Sequence, residues 1–251
     1  KTSLEDKIVE LSLKNKRLSA ALETTKKDNC KVINTLIHNL KNPVGSSFSF
    51  SEMLVENSAI FDEEKTKKYL SIIKNSSQYA IEILNAFAKL NSLKSVNFEL
   101  NTSTENYSNF ISEIIEFSKN KYADNNINFN VNIEDNIYCE FDKTELKYAI
   151  DQLINNAVRF SENNTTISVT VKKNNSEIIT TITDNGIGFD TENTTKLFNE
   201  FYVENTYDVY QKKCLGLGLT FVEKIIKLHK GSVTIFNNLP NGTIAQFMLP
   251  A

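Results

Sequence analysis

The chain is expected to be multidomain: an all-α helical hairpin, closing into a four-helix bundle as a dimer, followed by an α/β two-layer sandwich. Three observations carry this. Apolar residues recur at spacings of three and four as far as Leu90, the helical period. Beyond residue 97 the pattern mixes alternating apolar and polar runs with helical ones. Four of the 7 glycines crowd into two short clusters in that second part, Gly186/Gly188 and Gly216/Gly218.

The first stretch, 1–30, reads as a coiled-coil helix. Leu4, Ile8, Leu11, Asn15, Leu18, Leu22, Thr25 and Asn29 form an a/d seam with charged residues between them. Asn15 falls at an a-type position, where a buried amide fixes register and favours two strands. The seam is narrow, which fits a parallel dimer better than a helix packed on its own domain. The same helix is expected to run to about Val55 and to end at Asn57-Ser58-Ala59. Asp62 then caps a second helix carrying Tyr69, Ile72, Ile73, Ala80, Ile83, Leu84, Phe87 and Leu90. Its first turn, Glu63 and Glu64, suits the positive end of a helix. The apolar face of one such hairpin is too broad to be satisfied alone, so two hairpins are expected to pair.

A linker is expected near 93–97. After it come a strand at Val96–Leu100, a helix at Tyr107–Lys119 and a strand at Ile127–Ile133. A helix capped by Asp142 runs through Leu146, Ala149, Ile150, Leu153 and Ala157. Ile167–Val171 and Ile178–Thr183 form a hairpin. A helix spans Leu215–Leu228, and Val233–Phe236 with Ile244–Leu249 make a last hairpin turned at Asn241-Gly242.

Composition narrows the function. The 251 residues are 40% hydrophobic and 24% charged, with a net charge of −3 and no long basic run, which argues against nucleic-acid binding as the main role. Cys30, Cys139 and Cys214 are odd in number and far apart. They show neither a disulfide framework nor metal-ligand spacing, as expected of a reducing, cytoplasmic compartment. No apolar run approaches membrane-spanning length and no signal peptide precedes the first helix. The chain starts inside a helical pattern. A portion of something longer, such as a membrane receptor, is therefore expected, with any membrane contact made through segments outside it.

The chemistry-bearing residues fall in five places. His38 lies in Leu36-Ile37-His38-Asn39-Leu40-Lys41-Asn42-Pro43-Val44, and a neutral imidazole outside a core is a nucleophile. Asn42, four residues on, shares its helix face. Pro43 removes the hydrogen bond to the carbonyl of Asn39, which weakens the helix beside the histidine. Asp184-Asn185-Gly186-Ile187-Gly188 follows a strand, and Asp184 at its end is placed to accept a hydrogen bond from an exocyclic amine. Gly216 and Gly218 are expected to start a helix whose free amides attract phosphate. Between the clusters lie Leu197–Phe201 and a polar lid from Tyr202 to Lys213. At the end of the Asp142-capped helix, an Asn155 or Asn156 carbonyl can ligate Mg²⁺, Arg159 can pair with phosphate, and Phe160 can stack on a base. No Gly-Lys-Ser phosphate loop exists, so a nucleotide must be held another way.

In this order the five boxes resemble the sensor histidine kinases of two-component systems, over nearly the whole chain. His38-Asn39-Leu40-Lys41-Asn42-Pro43 resembles their phosphoacceptor box. Asn156, Asp184/Gly186/Gly188, Phe198/Phe201 and Gly216/Gly218 resemble their ATP-binding boxes. The resemblance implies three segments: a coiled-coil signalling helix (1–30), a dimerisation and histidine-phosphotransfer domain (31–93), and a Bergerat-type catalytic ATP-binding domain (97–251). It implies that His38 takes the γ-phosphoryl group of ATP and passes it to an aspartate of a response-regulator receiver domain. Asp184 would bind the adenine amine and Asn156 would ligate Mg²⁺. Arg159 and Phe160 would contact phosphate and adenine, and Gly216 and Gly218 would let lid amides approach the phosphates. Lys41 would screen charge, and Asn42 would orient a water in a phosphatase reaction.

Three departures stand out. Asn39 replaces the usual acidic neighbour of the histidine, so weak autokinase activity is expected. Gln152 stands where the asparagine box usually begins. Cys214 replaces the first glycine of the last box, beside a short lid. The competing reading is a catalytically weak dimeric signalling scaffold, or a net phosphatase of the regulator.

Overall fold

A computed structural model describes residues 4–56, 61–190, 194, 196–210 and 212–251. The contacts divide the chain into Lys1–Ala88 and Lys89–Ala251.

Helix α1 spans Leu4–Glu56 and carries Pro43 in its interior. At 1.5 Å per residue it is about 80 Å long. Helix α2 spans Glu63–Lys94. Asp62 caps it through a 2.7 Å bond from the Lys65 amide. Within the first unit, Ser47 Oγ lies 3.1 Å from Ser77 Oγ and donates to the Ile73 carbonyl, while Phe50 packs on Tyr69 at 5.1 Å. Partners that run downward in α2 as they run upward in α1 make the pair an antiparallel hairpin, as the sequence predicts. The expected stop at Asn57-Ser58-Ala59 lies outside the described residues. The seam side chains Ile8, Leu11, Leu18 and Leu22 are 56–60% exposed in the single chain.

The second unit begins inside α2, where Lys89 pairs with Glu145 at 2.6 Å and Leu90 is fully buried. The strand expected at Val96–Leu100 is absent. The chain turns there instead, with the Phe98 amide donating to Ser95, and Val96 is wholly exposed with no sheet to cover it. Strand β1, Ser103–Asn106, pairs with β3, Tyr138–Phe141. The sequence does not reveal β3, because four residues are too few to establish alternation. Helix α3 spans Tyr107–Lys121 and α4 spans Lys143–Arg159. The predicted cap of α4 forms: Asp142 Oδ1 accepts the Thr144 and Glu145 amides at 2.9 and 3.0 Å.

Strands β2 (Asn128–Ile133), β4 (Thr166–Asn174), β5 (Glu177–Thr183), β6 (Ser232–Asn237) and β7 (Thr243–Pro250) build one sheet in the order β2-β4-β5-β7-β6. β2 is parallel to β4 and the other pairs are antiparallel. The register puts Val169, Ile182, Ala245 and Ile235 in one row, all buried. Thr170, Thr181, Gln246 and Thr234 form a polar row on the opposite face. Apolar residues of α3, α4 and of α5 (Gly218–Leu228) complete the core. The Tyr107 hydroxyl is satisfied inside it, 2.6 Å from Thr180 Oγ1. The expected start of α5 at Leu215 is corrected to Gly218, because Gly216 at φ +73° breaks the helical path.

Candidate functional site

Four separated segments of the second unit converge on a cavity of about 230 Å³, whose lining includes Gln152, Asn156, Arg159, Phe160, Asp184, Gly188, Cys214, Gly216, Gly218 and Thr243. Each segment supplies its residues for a local reason. Gln152, Asn156, Arg159 and Phe160 lie on the last turns of α4 and its C-cap. Spacing of three to four puts them along one helix face.

Asp184 stands at the end of β5, 6% exposed. Its Oδ1 accepts the amides of Gly186 and Thr243, both at 2.9 Å. Burial raises its pKa above the usual aspartate value, and the two amide hydrogen bonds oppose that rise. With Oδ1 so engaged, the other oxygen of a cavity-lining carboxylate is the one placed to meet a ligand donor. Gly186 does not line the cavity. It packs behind it, where a Cβ would come within 2.3 Å of the Phe160 carbonyl.

Gly216 and Gly218 both line the cavity. At Gly216 a Cβ would lie 2.5 Å from the Tyr202 carbonyl, and the Phe201 amide donates to the Gly216 carbonyl at 2.8 Å. Phe198 and Phe201 are not in the lining; Leu197 and Tyr202 are. Helix α5 has no side-chain N-cap, so its first amides remain available to an anion.

The 206–214 segment folds against α4. Arg159 Nε donates to Asp208 Oδ2 at 2.6 Å, and Asp208, fully buried, also accepts the amides of Tyr210 and Lys212. The Arg159 Nη2 reaches the Lys213 carbonyl at 3.3 Å and Cys214 Sγ at 3.6 Å. Burial pushes the Cys214 thiol pKa up, against the pull of Arg159.

Asn156 suits a Mg²⁺ that keeps waters and substrate phosphates as its other ligands. A Cβ on Gly218 would sit 3.1 Å from Gln152 Oε1 and 3.7 Å from Asn156 Oδ1, so the missing side chain leaves those amide oxygens a shared space. Among the described residues there is no group of three His, Cys, Asp or Glu able to hold a metal by itself.

His38, Lys41 and Asn42 are exposed on α1 in the first unit, Asn39 is half-buried and Pro43 is buried. The other histidine, His229, is the C-cap residue of α5 and is buried. Its Nε2 accepts the Asp142 amide at 3.0 Å, so Nδ1 carries the proton and donates to the Ile225 carbonyl. Both nitrogens are engaged, leaving His38 as the exposed imidazole.

Sequence reasoning misses Thr243 and Asp208. Thr243 touches Asp184 from 59 residues away, and Asp208 is one polar residue in a polar loop. No local signal marks either.

Residues 141–251 match the family described as histidine kinase-, DNA gyrase B- and HSP90-like ATPase. The chain is 26% identical over 241 residues to the sensor histidine kinase YvrG of Bacillus subtilis, covering 95% of this chain and 41% of that protein. It is 25% identical over 215 residues to the sensor protein kinase WalK of Staphylococcus aureus, covering 85% of this chain and 51% of that one. The chain thus spans about half or less of the length of these relatives. Histidine kinase ThkA, solved in complex with the response regulator TrrA, superposes with a TM-score of 0.70 at 24% identity, over 97% of this chain and 66% of that one. The histidine kinase AdeS of Acinetobacter baumannii gives 0.65 at 18%, over 85% and 97%. Residues 141–251 thus carry a histidine kinase-, DNA gyrase B- and HSP90-like ATPase module, and the chain is similar to sensor histidine kinases along nearly its whole length.

Proposed function

We propose that this chain is the kinase portion of a two-component sensor, which phosphorylates His38 from ATP and passes the group to an aspartate of a response-regulator receiver domain. One observation carries the reading. Asn156, Arg159, Asp184, Gly216 and Gly218, scattered in sequence, line a single cavity, while His38 stands exposed on a helix of the other unit. ThkA's structure with TrrA supports a response regulator as partner. A homodimer is proposed through the α1 seam. The segments 1–30, 31–93 and 97–251 are assigned to signalling helix, phosphotransfer domain and ATP-binding domain. A cytoplasmic placement follows from that role; among the described residues no helix is long and apolar enough to cross a membrane.

The roles follow from chemistry. Asp184 accepts the adenine amine and Phe160 stacks on the base. Arg159 and the first amides of α5 hold phosphate oxygens. Asn156 would hold Mg²⁺, which when bound would neutralise charge on the transferring phosphoryl group. A neutral imidazole nitrogen of His38 attacks the γ-phosphorus in line. The N–P bond forms as the bond to the bridging oxygen breaks, and ADP leaves with that electron pair. Lys41 screens the charge that arrives. Asn42 orients a water for dephosphorylation of the regulator. Incubation with γ-labelled ATP tests this: the expected label is acid-labile, base-stable and absent from His38→Ala. Nucleotide binding without any label would replace the kinase with a signalling scaffold. A label that persists in His38→Ala would remove the acceptor assignment.

A further inference from the structure

The turn carrying Asp184 is anchored in its middle: Asp184 and Gly186 are buried and the Ile187 amide donates to the Phe160 carbonyl at 3.0 Å, while Asn185 is exposed and Ile187 is 53% exposed. The last residue of β6 and the residue after it tie down its two ends. Asn237 Nδ2 donates to the Phe189 carbonyl at 2.8 Å, and Asn237 Oδ1 accepts the Phe189 amide at 3.1 Å. One side-chain amide thus pairs with both main-chain groups of a single residue, as a neighbouring strand would. That approach needs Gly188, at φ +68°, since a Cβ there would lie 3.1 Å from Asn237 Oδ1. The next residue fixes the other end. Asn238 Nδ2 donates to the Asp184 carbonyl at 2.8 Å and to Asn185 Oδ1 at 3.2 Å. Each asparagine therefore directs its amide at the Asp184 turn, one at its start and one at its finish, with the cavity-facing carboxylate between them.

We infer that Asn237 and Asn238 are positioning residues for nucleobase recognition: they set where the Asp184 carboxylate stands and so enforce the choice of a base bearing an exocyclic amine. This rests on the nucleotide reading above. The physical basis is that a site built to hydrogen-bond a substrate group rejects an analogue lacking it, because a buried polar atom is then left without its partner. That rejection depends on the carboxylate being held within hydrogen-bond reach. A turn free to relax by an ångström loses the discrimination before it loses general affinity for the triphosphate.

The test compares ATP with purine riboside triphosphate, which lacks only the amine, by calorimetric titration of the full chain. The unmodified protein is expected to favour ATP by about tenfold or more. In Asn237→Ala and Asn238→Ala the preference is expected to fall towards unity through weaker ATP binding, with the purine analogue changed by less than about twofold, as loss of one hydrogen bond to the base requires. Asn237→Asp keeps an acceptor for the Phe189 amide, removes the donor and sets a carboxylate oxygen against the Phe189 carbonyl, so it releases the same end of the turn without opening a gap and provides the readout if the alanine variant does not fold. In an Asp184→Asn background the same substitutions are expected to leave the ratio unchanged. Parallel weakening of both nucleotides, with the ratio retained, would make the two asparagines structural only and overturn the inference. An unmodified protein that binds ATP without preferring it to the analogue would do the same. An unmodified protein that binds neither would overturn the nucleotide reading itself, and the inference with it.

Discussion

At the scale of single residues, the proposed chemistry turns on Asn39 and Asp184. Asn39 is a neutral amide beside His38, able to orient the imidazole but a poor base. Asn39→Asp or Asn39→Glu is expected to speed autophosphorylation by at least about tenfold, below the 10²–10⁴-fold typical of a positioned general base. A single-turnover assay with labelled ATP checks it; an unchanged rate would show that the neutral residue limits nothing. Asp184 has a pKa raised above 3.8 by burial. The folded chain therefore holds its proton more tightly than the unfolded one. Its contribution to stability is full below pH 3.8 and is lost as pH rises through the higher folded value. Nucleotide affinity runs the other way, since only the carboxylate accepts a second donor well, and it is expected to fall as pH drops through that same value. Asp184→Asn keeps an oxygen for the Gly186 and Thr243 amides while removing the buried charge. It is expected to melt no lower than the unmodified chain at neutral pH, yet to bind ATP only about as tightly as an analogue lacking the amine in a calorimetric titration. Both residues could be picked out of the sequence. What the sequence could not supply was the environment of Asp184, because half of its hydrogen-bond partners come from Thr243 on a distant strand.

At the scale of elements, the lid and the start of α5 matter most. The 206–214 segment is anchored by Asp208, whose carboxylate binds Arg159 and two lid amides at once. Removing one partner of a buried ion pair costs about 3–5 kcal/mol, and the low end applies here because Arg159 is 25% exposed. Asp208→Ala is expected to free the lid locally, seen as faster tryptic cleavage after Lys212 and Lys213 with little change in far-UV circular dichroism. Cleavage at the unmodified rate would mean that the lid is held by something else. Gly216→Ala meets two obstacles, a φ of +73° and a main-chain carbonyl 2.5 Å from the new Cβ. Strain of this kind costs of order 1–3 kcal/mol, so thermal melting is expected to fall by about 2–4 °C per kcal/mol, together with nucleotide affinity. The elements themselves were mostly legible. Long periodic helices, the alternating hairpins and the Asp142 cap all follow from local pattern. The failures were short or non-periodic: the four-residue β1 and β3, the absent strand at Val96–Leu100, and the start of α5, which Gly216 delays to Gly218.

At the scale of the whole molecule, the proposed reaction draws its acceptor from one unit and its nucleotide cavity from the other. The α1 seam leaves Ile8, Leu11, Leu18 and Leu22 more than half exposed in a single copy. An exposed a/d stripe on a long helix is stabilised by a second copy of that stripe. Leu18→Asp with Leu22→Asp is expected to convert a dimer into a monomer in light scattering at micromolar concentration, while ATP binding by the second unit is retained. A protein already monomeric before substitution would remove the dimer proposal. The sequence by itself determined the order of most elements, the two-part architecture and a subset of the cavity lining (Asn156, Arg159, Phe160, Asp184, Gly188, Gly216 and Gly218), because period, caps and glycine clusters are local properties of a chain. Only the tertiary structure decided that Asp208 engages Arg159, that Thr243 and Asn238 hold Asp184, and that Gly186 stands behind the cavity instead of lining it. Those contacts join segments whose proximity is set by sheet order and helix packing, and no local pattern in the chain encodes them.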